Sequence, residues 1–235
     1  MLRAILFDFN GVLVDDEPLH LALFARVLGE EGLTLRQDEY FARYLGLDDR
    51  RCFAAAMEEA GRRIDQAQIM RLVARKASYY QERIRSDGFP FFGGALELVR
   101  EASAAGLTLG VVSGALRGEV EGALRQAGIA HLFKTIVAAE DVVDGKPDPE
   151  GYRRALEELN GLPPLPPRLF HPHEVLAIED SPWGIEAASG AGLITLAVAH
   201  SYPKAALGAA HLVVGDLATL ELDALLESLA DATRA

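Results

Sequence analysis

The sequence predicts an α/β protein: a parallel sheet with helices on both faces, interrupted after its first strand by an all-helical segment. Three observations carry this expectation. From residue 89 onward, short apolar runs alternate with stretches of helical spacing, the pattern of a parallel sheet with crossover helices. Between about Leu19 and Ile84 the apolar spacing is helical and no period-two alternation interrupts it. Four segments bearing Asp, Ser, Lys or Glu follow or close apolar runs, at points that a parallel sheet gathers on one edge.

The elements follow in order. Residues 3–8, with the apolar run Ala4-Ile5-Leu6-Phe7, read as a buried strand ending at Asp8, and a turn bearing Gly11 comes next. Leu19, Leu23, Val27 and Leu28 repeat at helix spacing, as do Ile69, Leu72, Val73 and Tyr80. Ser86-Asp87-Gly88-Phe89-Pro90, then Gly93-Gly94, marks the exit from this helical stretch. The expected organisation is therefore a core of residues 1–14 and 89–235 and a helical cap of residues 15–88 over the sheet's carboxyl edge. Within the core, helices are expected at 96–105, 118–127, 149–159 and 183–191. Strands are expected at 107–112, 135–138, 175–178, 194–198 and 212–214, with a Pro-rich loop at 162–172.

Length and composition bound the rest. The 235 residues suit one large domain or a core with a small accessory domain. With 23 Lys and Arg against 35 Asp and Glu, the net charge of −12 disfavours nucleic acid and anionic membranes as partners. The acidity is uneven: residues 15–88 carry a net −2 and the remainder −10, so the middle segment, with Arg50 and Lys76, is the relatively basic part. Most of its cations are expected on a solvated helical surface, with one or two facing a ligand. Cys52 is the only cysteine, which rules out an intrachain disulfide and agrees with a reducing compartment. No signal-like start and no apolar run near 18 residues is present, so the expectation is a soluble cytoplasmic protein, a monomer or weak dimer.

Four strand ends carry the chemistry. Asp8 closes the first strand and Ser113-Gly114 the second; Lys146-Pro147 lies in a loop after the third, and Glu179-Asp180-Ser181 closes the fourth. Each has an ordinary structural explanation. Ser113 can cap a helix, Lys146 can face solvent, and Glu179-Asp180 can sit at a helix N-terminus. Together they have the composition of a phosphoryl-transfer site. Asp8 and Asp180 make a hard oxygen site suited to Mg²⁺, which would offset repulsion between an anionic nucleophile and a phosphate. The Ser113 hydroxyl and neighbouring N–H groups can hold phosphoryl oxygens, and Lys146 supplies a point charge.

These segments, DFNGVLVD from Asp8, VVSGA from Val111, GKPDPEGY from Gly145 and IEDSPWGIEAA from Ile178, resemble the four motifs of the haloacid dehalogenase superfamily. The resemblance covers nearly the whole chain, in the branch with a helical cap after the first strand. It implies a Rossmann-like core and a phosphatase working through an aspartyl-phosphate on Asp8. It also implies Mg²⁺ held by Asp8, Asp180 and the residue-10 carbonyl, with Glu179 alongside, and phosphate contacts from Ser113, Gly114 and Lys146. Around His20, Arg50 and Lys76 the pattern is similar to β-phosphoglucomutase and phosphoglycolate phosphatase-like proteins, which makes Arg50 and Lys76 candidate substrate contacts.

One departure stands out. The family's phosphatases and mutases usually carry Asp two residues after the nucleophile as general acid and base, and this chain has Asn10 there. An amide cannot exchange that proton, and losing such a group costs about 10²–10⁴-fold in rate. His20, at the start of the first cap helix, is a candidate replacement because imidazole titrates near neutrality; Asp15, Asp16 and Glu17 are others. The expected function is a Mg²⁺-dependent phosphatase for a small phosphorylated metabolite, such as a sugar phosphate, slowed by Asn10. The alternatives are a sugar-phosphate mutase, with Arg50 and Lys76 holding a second phosphate, and a phosphate-ligand binding protein whose chemistry has decayed.

Overall fold

In a computed structural model of the chain, residues 2–45, 47 and 49–232 are described. The chain divides into two compact units, Met1–Asp15 with Phe89–Ala235, and Asp16–Gly88.

The first unit is built on six parallel strands in the order β3-β2-β1-β4-β5-β6. They are β1 (Ala4–Phe7), β2 (Thr108–Val112), β3 (Phe133–Val137), β4 (Val175–Glu179), β5 (Ile194–Val198) and β6 (Leu212–Val214). β1, β4 and β5 are buried along their whole length, as strands covered on both faces must be. Alternate residues of one strand feed opposite faces. Ile5, Phe7, Val111 and Ile178 pack with Leu98, Val120 and Leu124 in one core, whereas Ala4, Leu6, Val175 and Ala177 pack with Tyr152, Ala155 and Ala187 in the other. The first core takes helices α5 (Ala95–Ala104), α6 (Arg117–Gln126) and α9 (Leu222–Ala232); the second takes α7 (Glu150–Gly161) and α8 (Pro182–Gly190). α8 starts sharply because Ser181 accepts a hydrogen bond from the Gly184 N–H and Pro182 occupies its first turn.

Register sets up the site. Phe7 is level with Val111 on β2 and with Ile178 on β4, so the residues that follow these positions leave the sheet at the same height. β1 lies where the strand order reverses, and such a switch point opens a crevice at the carboxyl ends of the strands.

The second unit contains α1 (Glu17–Glu30), α2 (Gln37–Arg43), α3 (Asp49–Glu59) and α4 (Gln66–Asp87). The helical stretch anticipated from spacing is thus broken into separate helices. α1 ends ahead of Gly32, whose positive φ of 73° suits a left-handed turn, and α4 begins in a capping box between Asp65 and Gln68. Phe24 and Phe53 stack at 4.2 Å in the centre of its core, with Val27, Leu28, Tyr40, Met57 and Leu72 around them. Each fully buried ring of this kind contributes about 1.5–3 kcal/mol of burial free energy. No helix among the described residues is long and apolar enough to cross a membrane.

Several boundaries differ from expectation by one to three residues, and two of them have a clear physical cause. β3 begins at Phe133 rather than Thr135, since Phe133 pairs with Leu109 and its ring meets Phe7 edge-on. α1 begins at Glu17, with Pro18 in its first turn, a position that tolerates the missing N–H.

Candidate active site

Asp8 follows β1 directly, its N–H bonded to the Ile178 carbonyl at 2.9 Å, so it extends the strand by one residue before the chain turns away. The turn is tight. Gly11 has φ of 80°, its N–H meets the Val14 carbonyl at 2.9 Å, and a Cβ on it would overlap the Asp180 carboxylate. Only glycine suits both the backbone conformation and the space. Val12, Leu13 and Val14 then plug back into the core, which holds the turn down.

Lys146, on the loop before α7, ties three strand ends together. Its Nζ lies 2.7 Å from Asp8 Oδ1 and 2.6 Å from Glu179 Oε1, and donates to the Val112 carbonyl at 3.2 Å. Glu179 Oε1 also accepts the Tyr152 hydroxyl. Asp180 Oδ2 accepts the Ser201 hydroxyl. Asp8, Glu179 and Asp180 are all buried, and ligand-capable atoms of the three lie within 4.8 Å of one another. Ser113, also buried, extends β2 through its N–H to the Val137 carbonyl at 2.9 Å, and its Oγ accepts the Ala115 N–H at 2.9 Å. Gly114 is exposed with open space where a side chain would stand.

The electrostatics follow from three carboxyl groups facing one ammonium. Burial, with the charges of Asp8 and Glu179, pushes the Asp180 carboxyl up; burial raises Glu179 too, against the pull of Lys146. Burial alone would lower Lys146, but the carboxylates of Asp8 and Glu179 more than offset it and keep the ammonium charged. Burial and the Glu179 charge raise the Tyr152 hydroxyl, so it remains a donor.

The donor set fits a hard divalent cation: oxygen ligands only, carrying more negative charge than Lys146 neutralises. This arrangement has a consequence for stability. A carboxyl with a folded pKa above its unfolded one destabilises the fold as pH rises, because the unfolded chain releases its proton first. In EDTA, the Tm is therefore expected to fall between about pH 5, above the ordinary carboxylate range, and pH 8. Mg²⁺ should restore most of the loss at the upper end. Calorimetry across that range checks the sign, and a Tm that climbs with pH in EDTA would contradict it.

The structure brings Asp8, Ser113, Lys146, Glu179 and Asp180 together on the carboxyl edge of one sheet. Asn10 is half-buried on the Asp8 turn, its backbone bridged to Val14. His20, Lys76 and Arg50 belong to the helical unit. There, Lys76 is buried with its Nζ bonded to Asp49 and 2.8 Å from His20 Nδ1, while His20 Nε2 lies 3.2 Å from Asp16 Oδ2. The Tyr80 hydroxyl donates to the same Asp16 oxygen at 2.8 Å, and its ring stacks on His20. Because an ammonium can only donate, His20 presents a bare Nδ1 to Lys76 and its Nε2–H to Asp16. Arg50 is exposed on α3.

Sequence reasoning passed over Tyr152, His200 and Ser201. Tyr152 lies inside the lysine motif but reads as an apolar helix position. The other two follow β5, so the rule that site residues collect at carboxyl strand ends applied to them as well.

Comparison with known proteins identifies the chain's relatives. A family model described as haloacid dehalogenase-like hydrolase matches residues 5–198. Validoxylamine A 7'-phosphate phosphatase of Streptomyces hygroscopicus subsp. limoneus is 29% identical over 223 residues, covering 92% of this chain and 95% of its own. A phosphorylated carbohydrates phosphatase of Thermotoga maritima is 29% identical over 230 residues, covering 97% and 98%. The crystal structure of CbbY from Rhodobacter sphaeroides in complex with phosphate superposes with a TM-score of 0.78 at 26% identity, covering 94% of this chain and 96% of that one.

Proposed function

Because the chain belongs to the haloacid dehalogenase-like hydrolases, we propose that it is a phosphatase that cleaves a small phosphorylated metabolite through a phosphoaspartate on Asp8. The observation that carries this reading is the buried Asp8 carboxylate, 2.7 Å from the Lys146 ammonium and clustered with Glu179 and Asp180 at the switch point of the sheet. An Asp8 oxygen attacks phosphorus, the bond to the substrate oxygen breaks, and the leaving alkoxide takes up a proton from solvent. Water then attacks the same phosphorus, the bond to Asp8 breaks, the attacking water passes its proton to solvent, and inorganic phosphate leaves with the carboxylate restored.

Asp8, Asp180 and the Asn10 carbonyl would hold Mg²⁺, with Glu179 behind them anchoring Lys146. When bound, the ion supplies charge neutralisation between carboxylate and phosphate. The remaining work falls to the chain. Lys146 pairs with the Asp8 carboxylate and offers charge to a phosphoryl oxygen, and Ser113 and the Gly114 backbone hold the others. The division of labour between a core and a cap of residues 15–88 belongs to the same reading, and substrate choice is assigned to the cap. A mutase needs cations for a second phosphate; Lys76 is already engaged by Asp49 and His20, which favours the hydrolase. The names of the relatives direct the search toward phosphorylated sugars and cyclitols, substrates in keeping with a cytoplasmic setting.

A phosphate-release screen of such esters tests the proposal. Turnover is expected with Mg²⁺ and not in EDTA. Full activity in EDTA would overturn the metal assignment, and no turnover of any ester would favour a binding protein.

A further inference from the structure

The loop after β5 reaches Asp180, one of the proposed metal ligands, and the Gly11 peptide, which adjoins another. Ser201 donates its hydroxyl to Asp180 Oδ2, fixing the rotation of that carboxylate and leaving its other oxygen for a cation. One residue earlier, His200 Nδ1 lies 2.8 Å from the Gly11 carbonyl. A carbonyl only accepts, so this nitrogen carries the hydrogen. The ring is held flat against Phe92, with centroids 3.9 Å apart.

The Gly11 contact has a geometric effect. The Gly11 N–H is bonded to the Val14 carbonyl, which sets the plane of the Asn10–Gly11 peptide and hence the direction of the Asn10 carbonyl. The bond from His200 sets the plane of the next peptide. Glycine has the widest backbone freedom of any residue, and at Gly11 both flanking peptides are pinned. Close packing reinforces the arrangement: a Cβ on Gly11 would overlap Asp180 and stand 3.0 Å from Ser201 Oγ.

We propose that His200 and Ser201 are positioning residues for the cation site, Ser201 acting through Asp180 and His200 through the Gly11 peptide beside the Asn10 carbonyl. The inference rests on the metal-dependent reading above. Groups that orient metal ligands typically govern metal affinity by about 10–100-fold, so the effect belongs in binding before any chemistry occurs.

Calorimetric titration of Mg²⁺ into the intact chain, without substrate, tests it directly. Ser201→Ala is expected to weaken Mg²⁺ binding by about tenfold or more, and Ser201→Thr, which keeps the hydroxyl, to bind close to the unaltered chain. His200→Ala should weaken binding, and His200→Asn, whose amide N–H can reach the same carbonyl, should recover much of it. The Tm in EDTA should move little between Ser201→Ala and Ser201→Thr. Variants that lose Tm but bind Mg²⁺ normally would show a merely structural role and overturn the proposal, as would equal losses of affinity in Ser201→Ala and Ser201→Thr. An unaltered chain that binds no Mg²⁺ overturns the metal reading itself, whereas binding that is unmoved in every variant overturns only the positioning role.

Discussion

Asp8→Asn is expected to abolish turnover, by about 10⁴-fold or more, the scale on which removal of a covalent nucleophile acts. The amide has no charge to attack phosphorus, and the two neighbouring carboxyl groups are held in other roles: Glu179 is bonded to Lys146 and Tyr152, and Asp180 to Ser201. The loss should not come from unfolding. The variant removes one of three crowded acids, while its amide oxygen can still accept from Lys146, so the Tm in EDTA should stay level or rise. Acid-quenched enzyme with labelled substrate gives the second readout, with phosphate bound to the unaltered protein and none on Asp8→Asn. Turnover that survives in the variant would remove Asp8 from its role.

The second large effect runs the other way. Asn10→Asp is expected to raise turnover by about 10²-fold or more, because the leaving alkoxide needs a proton and the attacking water needs a base. Its pH–rate profile should gain a limb that the unaltered chain lacks. His20 is the competing supplier, and its surroundings argue against it. Lys76 faces one ring nitrogen and Asp16 the other, so the imidazole would have to leave both to exchange a proton with substrate. His20→Ala is therefore expected to matter much less than Asn10→Asp. The reverse result, a crippled His20→Ala and an indifferent Asn10→Asp, would transfer the role to His20.

Much of this was legible in the amino-acid sequence, for physical reasons that differ by element. Central parallel strands are buried on both faces, so β1 and β4 appear as unbroken apolar runs, and the polar residue that ends each run marks the edge where a site forms. Asp8, Ser113 and Asp180 were visible on that ground. Lys146 was visible through its motif, but its bonds to three strand ends were not, because each joins residues far apart in sequence.

Lys76 shows how much of a charged residue's setting its charge leaves unsaid. Read from its charge, it is a candidate for holding phosphate; in the structure it is buried against Asp49 and His20. Its position held the clue. Four residues after Leu72 and four before Tyr80, it lies on the inward stripe of α4, where a cation needs an internal partner. Ser201 had only the weaker clue of following the carboxyl end of β5, which does not distinguish a serine that grips a carboxylate from one that ends a strand.

The pairing of β1 has a consequence for how the protein is made. Ala4 pairs with Thr108 on one side and with Val175 on the other. Synthesis proceeds from the N-terminus, so the strand that leads into Asp8 leaves the ribosome before both of its neighbours and waits for them. The helices that follow it have their own core around Phe24 and Phe53 and can condense in the interval. The central strand thus emerges ahead of both partners and is enclosed only once Val175–Glu179 has been made, and until then its four apolar residues are an exposed liability for the nascent chain.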